Sequence, residues 1–302
     1  MEREKYFDCL YAAFQDMGFI PIVDSRWRLL FHASFQKADL EPELLCKINK
    51  EFGTSFYNVI LINCRKNFLL YKQFGASWNR ELFHSSLAFT VLGCIVDSIF
   101  DSGIDDRRCA AIRVLQPEYC ADYFCRFSTP KNDTAIDTLF WTVGEGLYII
   151  KQRNELRYRH IVDMLNKTAS AELTVMDPLC SEDIIVSKSK IFTQIAIEIL
   201  LAEIELTDYD NEIIENIGYC FAIMDDLCDY YEDRIIGQAN LLNTIIDNDN
   251  ISIHIATNRL KQHLDFLRQY AIPALYEFIF CELSEWIMSC PDLRMRVWKE
   301  NG

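Results

Sequence analysis

The scarcity of helix-breaking residues is the feature that most constrains the fold of this chain. Only 10 glycines and 7 prolines occur in 302 residues, which is about half of what average usage would give. Apolar residues recur between these breakers at the spacing of helices that bury one face. Because alternation with a period of two is not sustained anywhere, the sequence predicts an all-α fold of about ten helices, in a single domain over residues 1–302.

Three segments carry the helical pattern most clearly. Residues 80–101 are apolar nearly all round until their C-terminal end, which predicts a helix in the centre of a bundle. Residues 191–206 are mostly apolar with a few glutamates between them, which predicts a helix that faces the core. After a polar break at residues 208–211, a further helix is predicted from Glu212 to about Asp233.

The charge balance limits the partners of the protein. Its 45 acidic residues outnumber its 30 basic ones, for a formal net charge of -15. Sequence-independent binding of DNA or RNA needs clustered Lys and Arg against phosphate, so a nucleic-acid partner is not expected. An anionic ligand would instead be bound through a local basic patch or through metal ions.

Cysteine usage and hydropathy indicate the compartment. The 12 cysteines include no CxxC pair, and several lie within apolar runs, as expected of reduced thiols. The charged N-terminal residues do not resemble a signal peptide, and the longest nearly uncharged run, residues 82–96, is too short to span a bilayer. The sequence therefore predicts a cytoplasmic protein without a membrane span.

An apolar run is followed directly by closely spaced acidic residues in FAIMDDLCDYYEDR, residues 221–234. Asp225, Asp229 and Asp233 are four residues apart and share one stripe of a helix, with Asp226 beside it. Like charges stacked in this way repel, and the helix dipole also disfavours negative charge at a C-terminus. The arrangement is costly unless a cation relieves it.

The same pattern occurs a second time. Asp97 and Asp101 end the predicted helix of residues 80–101, and Arg107 and Arg108 follow shortly after. Although one acidic helix end is typical of a solvated surface, two of them favour a shared site across a cavity. Carboxylate oxygens suit Mg²⁺, which also shares substrate phosphates, and the two arginines would donate to the same phosphates.

These motifs resemble those of the trans-isoprenyl diphosphate synthases. DDLCD at residues 225–229 is similar to the second DDxxD motif of that family, and DSIFD at residues 97–101 is similar to the first, with Ser98 in place of its second aspartate. Lys188 stands where the family has a Lys-Thr pair, and Gln238 where it has the lysine of a Gly-Lys-x-Thr element. The resemblance covers approximately the middle of the chain, from Leu82 to Leu242.

The resemblance implies the isoprenoid synthase fold, a helical bundle around an apolar cavity with the aspartate-rich helices at its mouth. It also implies a homodimer and three Mg²⁺ ions that hold the diphosphate of an allylic prenyl substrate. The implied metal ligands are Asp97, Asp101, Asp225, Asp226, Asp229 and Asp233. The implied diphosphate-binding residues are Arg107, Arg108, Lys188 and Gln238. Aromatic candidates for the cavity wall are Phe89, Phe100, Phe192 and Phe221.

Enzymes with this fold either elongate or cyclise prenyl diphosphates. Elongation needs a second diphosphate site, which the family builds from a Gly-Gly-Lys-Arg motif near the N-terminus. Here Arg26 and Arg28 have a plausible spacing, but no Gly-Gly-Lys accompanies them. Asp225, Asp229 and Asp233 instead have the spacing of the metal triad of class I terpene synthases. We therefore expect a class I terpene synthase, and its expected catalytic residues are Asp97, Asp101, Asp225 and Asp229. A trans-prenyl diphosphate synthase is the alternative, and a non-catalytic partner subunit is the third hypothesis.

Overall fold

The structure is a computed structural model, and the part of the chain that it describes is all-helical. The described residues are 2–17, 46–48, 50–51, 55–101, 134–175, 177, 180–245 and 249–301. The helices are α1 (Arg3–Asp16), α2 (Ser55–Phe74), α3 (Arg80–Asp101), α4 (Ala135–Arg153), α5 (Glu155–Thr174), α6 (Glu182–Leu200), α7 (Asp208–Ile236), α8 (Leu241–Ile245), α9 (Asp249–Tyr270), α10 (Pro273–Ser289) and α11 (Pro291–Asn301). These ranges contain no strand, so the all-α prediction is confirmed, whereas the isoprenoid-synthase type stays a prediction. Among the described helices, none has the length and hydropathy needed to cross a membrane.

The chain forms two compact units. Unit 1 consists of Met1–Val23, Ala171–Lys190 and Asn211–Gly302, and unit 2 consists of Asp24–Ser170 and Ile191–Asp210. Three of the boundaries between the units fall within α5, α6 and α7. The prediction of a single domain over residues 1–302 stays a prediction.

Helix α3 is the centre of unit 2, and it packs against α2 and α4. Ser85 Oγ donates to the carbonyl oxygen of Thr142 at 2.6 Å, and Ser86 Oγ donates to that of Ala196 at 2.7 Å. A Cβ atom at Gly146 would overlap the Ser85 side chain, so the close approach of α3 and α4 requires glycine there. Two adjacent serines thus join the apolar α3 to α4 and to the second half of α6.

A buried ion pair ends α6. Arg157 Nε lies 2.8 Å from Glu198 Oε2, and the two side chains are 15% and 7% exposed. Burial raises the pKa of Glu198, while the charges of Arg157 and His160 oppose that rise. The Arg157 guanidinium also donates to the carbonyl oxygens of Leu201 and Ile204 at 3.4 and 3.5 Å. These bonds satisfy carbonyls beyond the helix end, and they explain why α6 stops at Leu200 and not at residue 206 as predicted.

Helix α7 begins earlier than predicted because its N-terminus is capped. The Thr207 hydroxyl accepts the backbone N–H of Asp210 at 3.2 Å, and the Asp210 carboxylate accepts the N–H of Thr207 at 2.9 Å. This reciprocal capping fixes the start of a helix. The predicted polar break at residues 208–211 is therefore wrong, since these residues form the first turn of α7.

In unit 1, α1 packs against α9 and α11 and also contacts the second half of α7. The buried Tyr6 hydroxyl donates to the carbonyl oxygen of Leu227 at 2.7 Å, and its ring stacks on Tyr230 at 4.7 Å between centroids. Arg3 donates to Glu232 and to Asp292, both at 2.9 Å. The N-terminal helix thus holds the part of α7 that carries the aspartates.

Candidate functional site

The carboxylates of α7 form one acidic face. Asp225, Asp226, Asp229 and Asp233 fall within an arc of about 100° around the helix, because each residue turns the chain by about 100°. Asp225, Asp226 and Asp229 are half-buried, and Asp233 is buried at 8% exposure. The opposite side of α7 is apolar and buried, so packing directs these carboxylates to one side. We call these four residues the acidic face.

The chain turns back onto this face directly after α7. Gly237 adopts a φ of 74°, and the backbone N–H of Gln238 donates to the Asp233 carbonyl oxygen at 2.9 Å. Asn240 Nδ2 then donates to Asp233 Oδ2 at 2.8 Å and to the Asp226 carbonyl oxygen at 2.9 Å. The turn needs a left-handed conformation that glycine adopts readily, and it brings Asn240 onto the acidic face.

One carboxyl group of the acidic face has a strongly raised pKa. Burial raises the pKa of Asp226 to about 8, and the charges of Asp233 and Asp229 add to the rise. The positive charge of Lys188 and a hydrogen bond from the backbone N–H of Leu241 oppose it. A carboxylate that titrates so far above its ordinary range indicates a place where a bound cation would be stabilised.

Lys188 brings a positive charge to this face from α6. Its Nζ atom lies 3.5 Å from Glu172 Oε2, and both side chains are mostly buried. Its charge also lowers the pKa of Asp226, so the two groups interact within unit 1. Of the predicted diphosphate-binding residues, Lys188 and Gln238 therefore belong to the same unit as the second aspartate-rich motif.

The first aspartate-rich motif lies in unit 2. Asp97 is half-buried near the C-terminus of α3, and Asp101 is the last residue of that helix. The side chains of Phe100 and Asp101 lie outside the described part of the structure, as do Arg107 and Arg108. That the two acidic helix ends face one another stays a prediction.

Three of the aromatic candidates have described side chains, and each of them contacts another aromatic ring. The Phe89 and Phe192 rings stack on one another in unit 2 with centroids 4.8 Å apart. The Phe192 ring occupies the place where a Cβ atom of Gly93 would be, so glycine is required there. In unit 1, the Phe221 ring lies 6.2 Å from that of Trp286. The requirement at Gly93 was not predicted, since its partner is nearly one hundred residues away in the chain.

The donor chemistry of the acidic face fits Mg²⁺. Carboxylate oxygens are the protein ligands that Mg²⁺ prefers, and a bound cation would favour the ionised form of Asp226 and so lower its raised pKa. Within the described ranges, no group of three or more His, Cys, Asp or Glu side chains is gathered so as to hold a metal ion. Mg²⁺ commonly takes one or two carboxylates and completes its shell with water and substrate phosphates, so the face suits an ion that arrives with a phosphorylated ligand.

No protein-family model, no curated protein and no solved structure matches this chain.

Proposed function

We propose that this protein is a Mg²⁺-dependent class I terpene synthase, which ionises a linear allylic prenyl diphosphate and cyclises or deprotonates the resulting cation. One observation carries the proposal. The charge of Lys188 lowers the pKa of Asp226, and the two residues belong to unit 1 together with the other carboxylates of the acidic face. Recognition of a metal-bound diphosphate needs carboxylates and a cationic side chain, because carboxylates bind the metal and an ammonium group pairs with phosphate oxygens.

The residues of unit 1 have separate roles in this proposal. Asp225 and Asp229 would hold Mg²⁺ on α7, with Asp226 and Asp233 assisting. Asn240 orients Asp233 through its 2.8 Å hydrogen bond, which keeps the carboxylate on the acidic face. Such supporting hydrogen bonds fix ligand geometry before the metal binds.

The remaining predicted ligands come from other parts of the chain. In this proposal Asp97 and Asp101 bind further ions at the end of α3. The diphosphate would accept hydrogen bonds from four side chains, which are Arg107, Arg108, Lys188 and Gln238. The cation would be enclosed by aromatic rings, for which Phe89, Phe100, Phe192 and Phe221 are the candidates.

The reaction begins with heterolysis of the allylic carbon–oxygen bond. The electron pair leaves on the diphosphate oxygen, and an allylic cation remains in an apolar enclosure that excludes water. Bound Mg²⁺ supplies positive charge that stabilises the departing diphosphate. Lys188 adds a further positive charge to the same oxygens. The cation, either directly or after it closes a ring, loses a proton to the released diphosphate or to water and becomes a neutral hydrocarbon. Capture by water with loss of a proton gives an alcohol instead.

The thiols support a reducing compartment. All nine cysteines among the described residues are free, and free thiols in this number are typical of cytoplasmic proteins. We therefore propose a cytoplasmic location. A homodimer, which the resemblance implies, stays a prediction.

Product analysis tests the proposed activity. Purified protein and Mg²⁺ are incubated with geranyl, farnesyl and geranylgeranyl diphosphates, each with and without isopentenyl diphosphate, and the extracts are analysed by gas chromatography and mass spectrometry. A terpene hydrocarbon or alcohol that forms without isopentenyl diphosphate supports the proposal. A longer prenyl diphosphate that forms only with it indicates a prenyl diphosphate synthase, and the absence of any product indicates a non-catalytic subunit.

Two pairs of variants connect any activity to the acidic face. Asp225→Asn should abolish turnover. Glu232→Gln is its control and should leave turnover unchanged, because it removes one charge from the same end of α7 at a residue that pairs with Arg3. Lys188→Gln should lower turnover at least about tenfold, since it removes a charge-assisted contact to phosphate. Lys190→Gln is its control on the same helix, because Lys190 pairs with Glu215. Equal activity of Asp225→Asn and the native protein would make the assignment of Asp225 wrong.

A further inference from the structure

A cavity of about 250 Å³ lies between α3 and α4 in unit 2. Its apolar walls are buried, with exposures of 2% or less at Ile48, Leu87, Val91 and Leu139. Its charged lining residues are exposed, namely Arg80, Glu81 and Glu145. The cavity therefore has an apolar interior and a charged entrance, which is the usual composition of a small-molecule site.

The spacing of the cavity walls is fixed by two contacts between α3 and α4 beside the cavity. The hydrogen bond from Ser85 Oγ to the Thr142 carbonyl oxygen and the close contact of Ser85 with Gly146 set the distance between α3 and α4. Ala88, on the next turn of α3, presents only a methyl group to the cavity. Small residues between two well-anchored helices leave space that neighbouring side chains do not fill.

Four polar lining residues offer hydrogen-bond acceptors to the cavity, whereas Arg80, His84 and Trp141 carry donors. The Thr138 hydroxyl donates to the Thr134 carbonyl oxygen at 2.8 Å, and the Thr142 hydroxyl donates to the Thr138 carbonyl oxygen at 2.8 Å. Because each hydroxyl proton is used within α4, both threonines can offer only lone pairs to a ligand. Glu81 and Glu145, as carboxylates, also only accept.

The charge and the aromatic ring at the entrance favour a cationic ligand. Two carboxylates oppose the single guanidinium of Arg80, so the formal charge of the lining is negative with His84 neutral. The half-buried Trp141 indole also lines the cavity, and the face of an indole ring attracts organic cations.

We propose that this cavity binds a small organic cation, a primary ammonium group attached to an apolar body. The ammonium group would lie at Glu81 and Glu145, beside Trp141, and the apolar body would contact the buried walls. A volume of about 250 Å³ corresponds to roughly eight water molecules in the liquid, which suits a ligand of about eight to twelve non-hydrogen atoms. The site uses no residue of the acidic face, and it does not depend on the proposed synthase activity.

Three probes of one shape and different charge test this proposal. Phenethylamine is a cation at neutral pH, phenethyl alcohol is neutral, and 3-phenylpropanoate is an anion. Each is titrated into the full-length protein and followed by calorimetry. The amine should bind at least about tenfold more tightly than the alcohol, because charge-assisted hydrogen bonds are stronger than neutral ones, and the anion should bind most weakly. Equal binding of amine and alcohol, tightest binding of the anion, or no binding of the amine at millimolar concentration would each overturn the proposal.

Two variants locate the binding. Glu145→Gln should weaken binding of the amine about tenfold and leave binding of the alcohol unchanged. Its control is Glu205→Gln, which changes another exposed glutamate of unit 2 and should leave binding of both probes unchanged. Ala88→Leu should fill the cavity and prevent binding of both probes, with circular dichroism as the check on folding. If Ala88→Leu does not fold, Glu145→Gln decides alone, since it changes an exposed side chain. Unchanged amine affinity in Glu145→Gln would contradict the proposed site.

Discussion

Replacement of Asp226 by asparagine should stabilise the metal-free protein, and more so as the pH rises. The native state holds the carboxyl proton of Asp226 up to about pH 8, whereas the unfolded chain loses it near the ordinary pKa of 3.8. Between these values the folded state binds more protons than the unfolded state, so its stability falls as the pH rises. Asparagine imitates the neutral carboxyl group and removes this dependence, while its side-chain oxygen can still accept the N–H of Leu241.

The structure sets the size of the effect. Moving a carboxyl pKa from 3.8 to about 8 corresponds to on the order of 5 kcal/mol of unfolding free energy at pH 8 and above. Because the Asp226 side chain is partly exposed, solvent screening reduces this figure, and we expect Asp226→Asn to raise the unfolding free energy by about 2–4 kcal/mol at pH 8 and about 1.5 kcal/mol at pH 5. Below the unfolded pKa, both proteins are neutral at this position and should be equally stable.

Urea unfolding of both proteins in EDTA at several pH values measures this difference. Glu232→Gln removes an exposed charge from the same helix and serves as the control, with an expected change within about 0.5 kcal/mol. Addition of Mg²⁺ at pH 8 should stabilise the native protein more than Asp226→Asn, because the cation binds the ionised carboxylate. If Asp226→Asn is no more stable than the native protein at pH 8, the acidic face is an ordinary solvated surface.

Two further predictions concern the interior of unit 2. Glu198→Gln should lower the unfolding free energy by about 3–5 kcal/mol in chemical denaturation, because it leaves the Arg157 guanidinium buried without its counter-charge. A smaller loss in the double variant Glu198→Gln/Arg157→Met would confirm that the unpaired guanidinium is the cause. Gly93→Ala should cost about 1–3 kcal/mol because the new methyl group overlaps the Phe192 ring. In urea unfolding, the additional change Phe192→Leu should recover part of the unfolding free energy lost in Gly93→Ala. If the losses of the two single variants simply add in the double variant, the two residues do not interact.

The helices could be predicted from local signals, but some of their ends could not. Helix α3 matches the predicted residues 80–101, because its apolar run contains no proline and begins and ends with polar residues. The end of α6 depends instead on Arg157, which lies on another helix, and no local signal near residue 200 reports that contact. The start of α7 had a local signal in Thr207 and Asp210, whose spacing is that of a capping pair.

The composition of the acidic face was predictable, but its surroundings were not. The spacing of Asp225, Asp229 and Asp233 places them on one side of any helix. Asn240 reaches that side only because Gly237 reverses the chain, and Lys188 reaches it from a separate helix. Such contacts depend on tertiary packing, which a pattern of residue types along the chain does not encode.

Release of inorganic diphosphate is the most direct test of the central claim, which is that the acidic face and Lys188 together ionise a prenyl diphosphate. Geranyl, farnesyl and geranylgeranyl diphosphates are each incubated with the native protein in Mg²⁺ or EDTA, and free diphosphate is measured over time. The account predicts release from at least one substrate in Mg²⁺, none in EDTA, none with Asp225→Asn and a rate at least about tenfold lower with Lys188→Gln than with Lys190→Gln. The absence of release from all three substrates, or release that is as fast in EDTA or with Asp225→Asn, would contradict it.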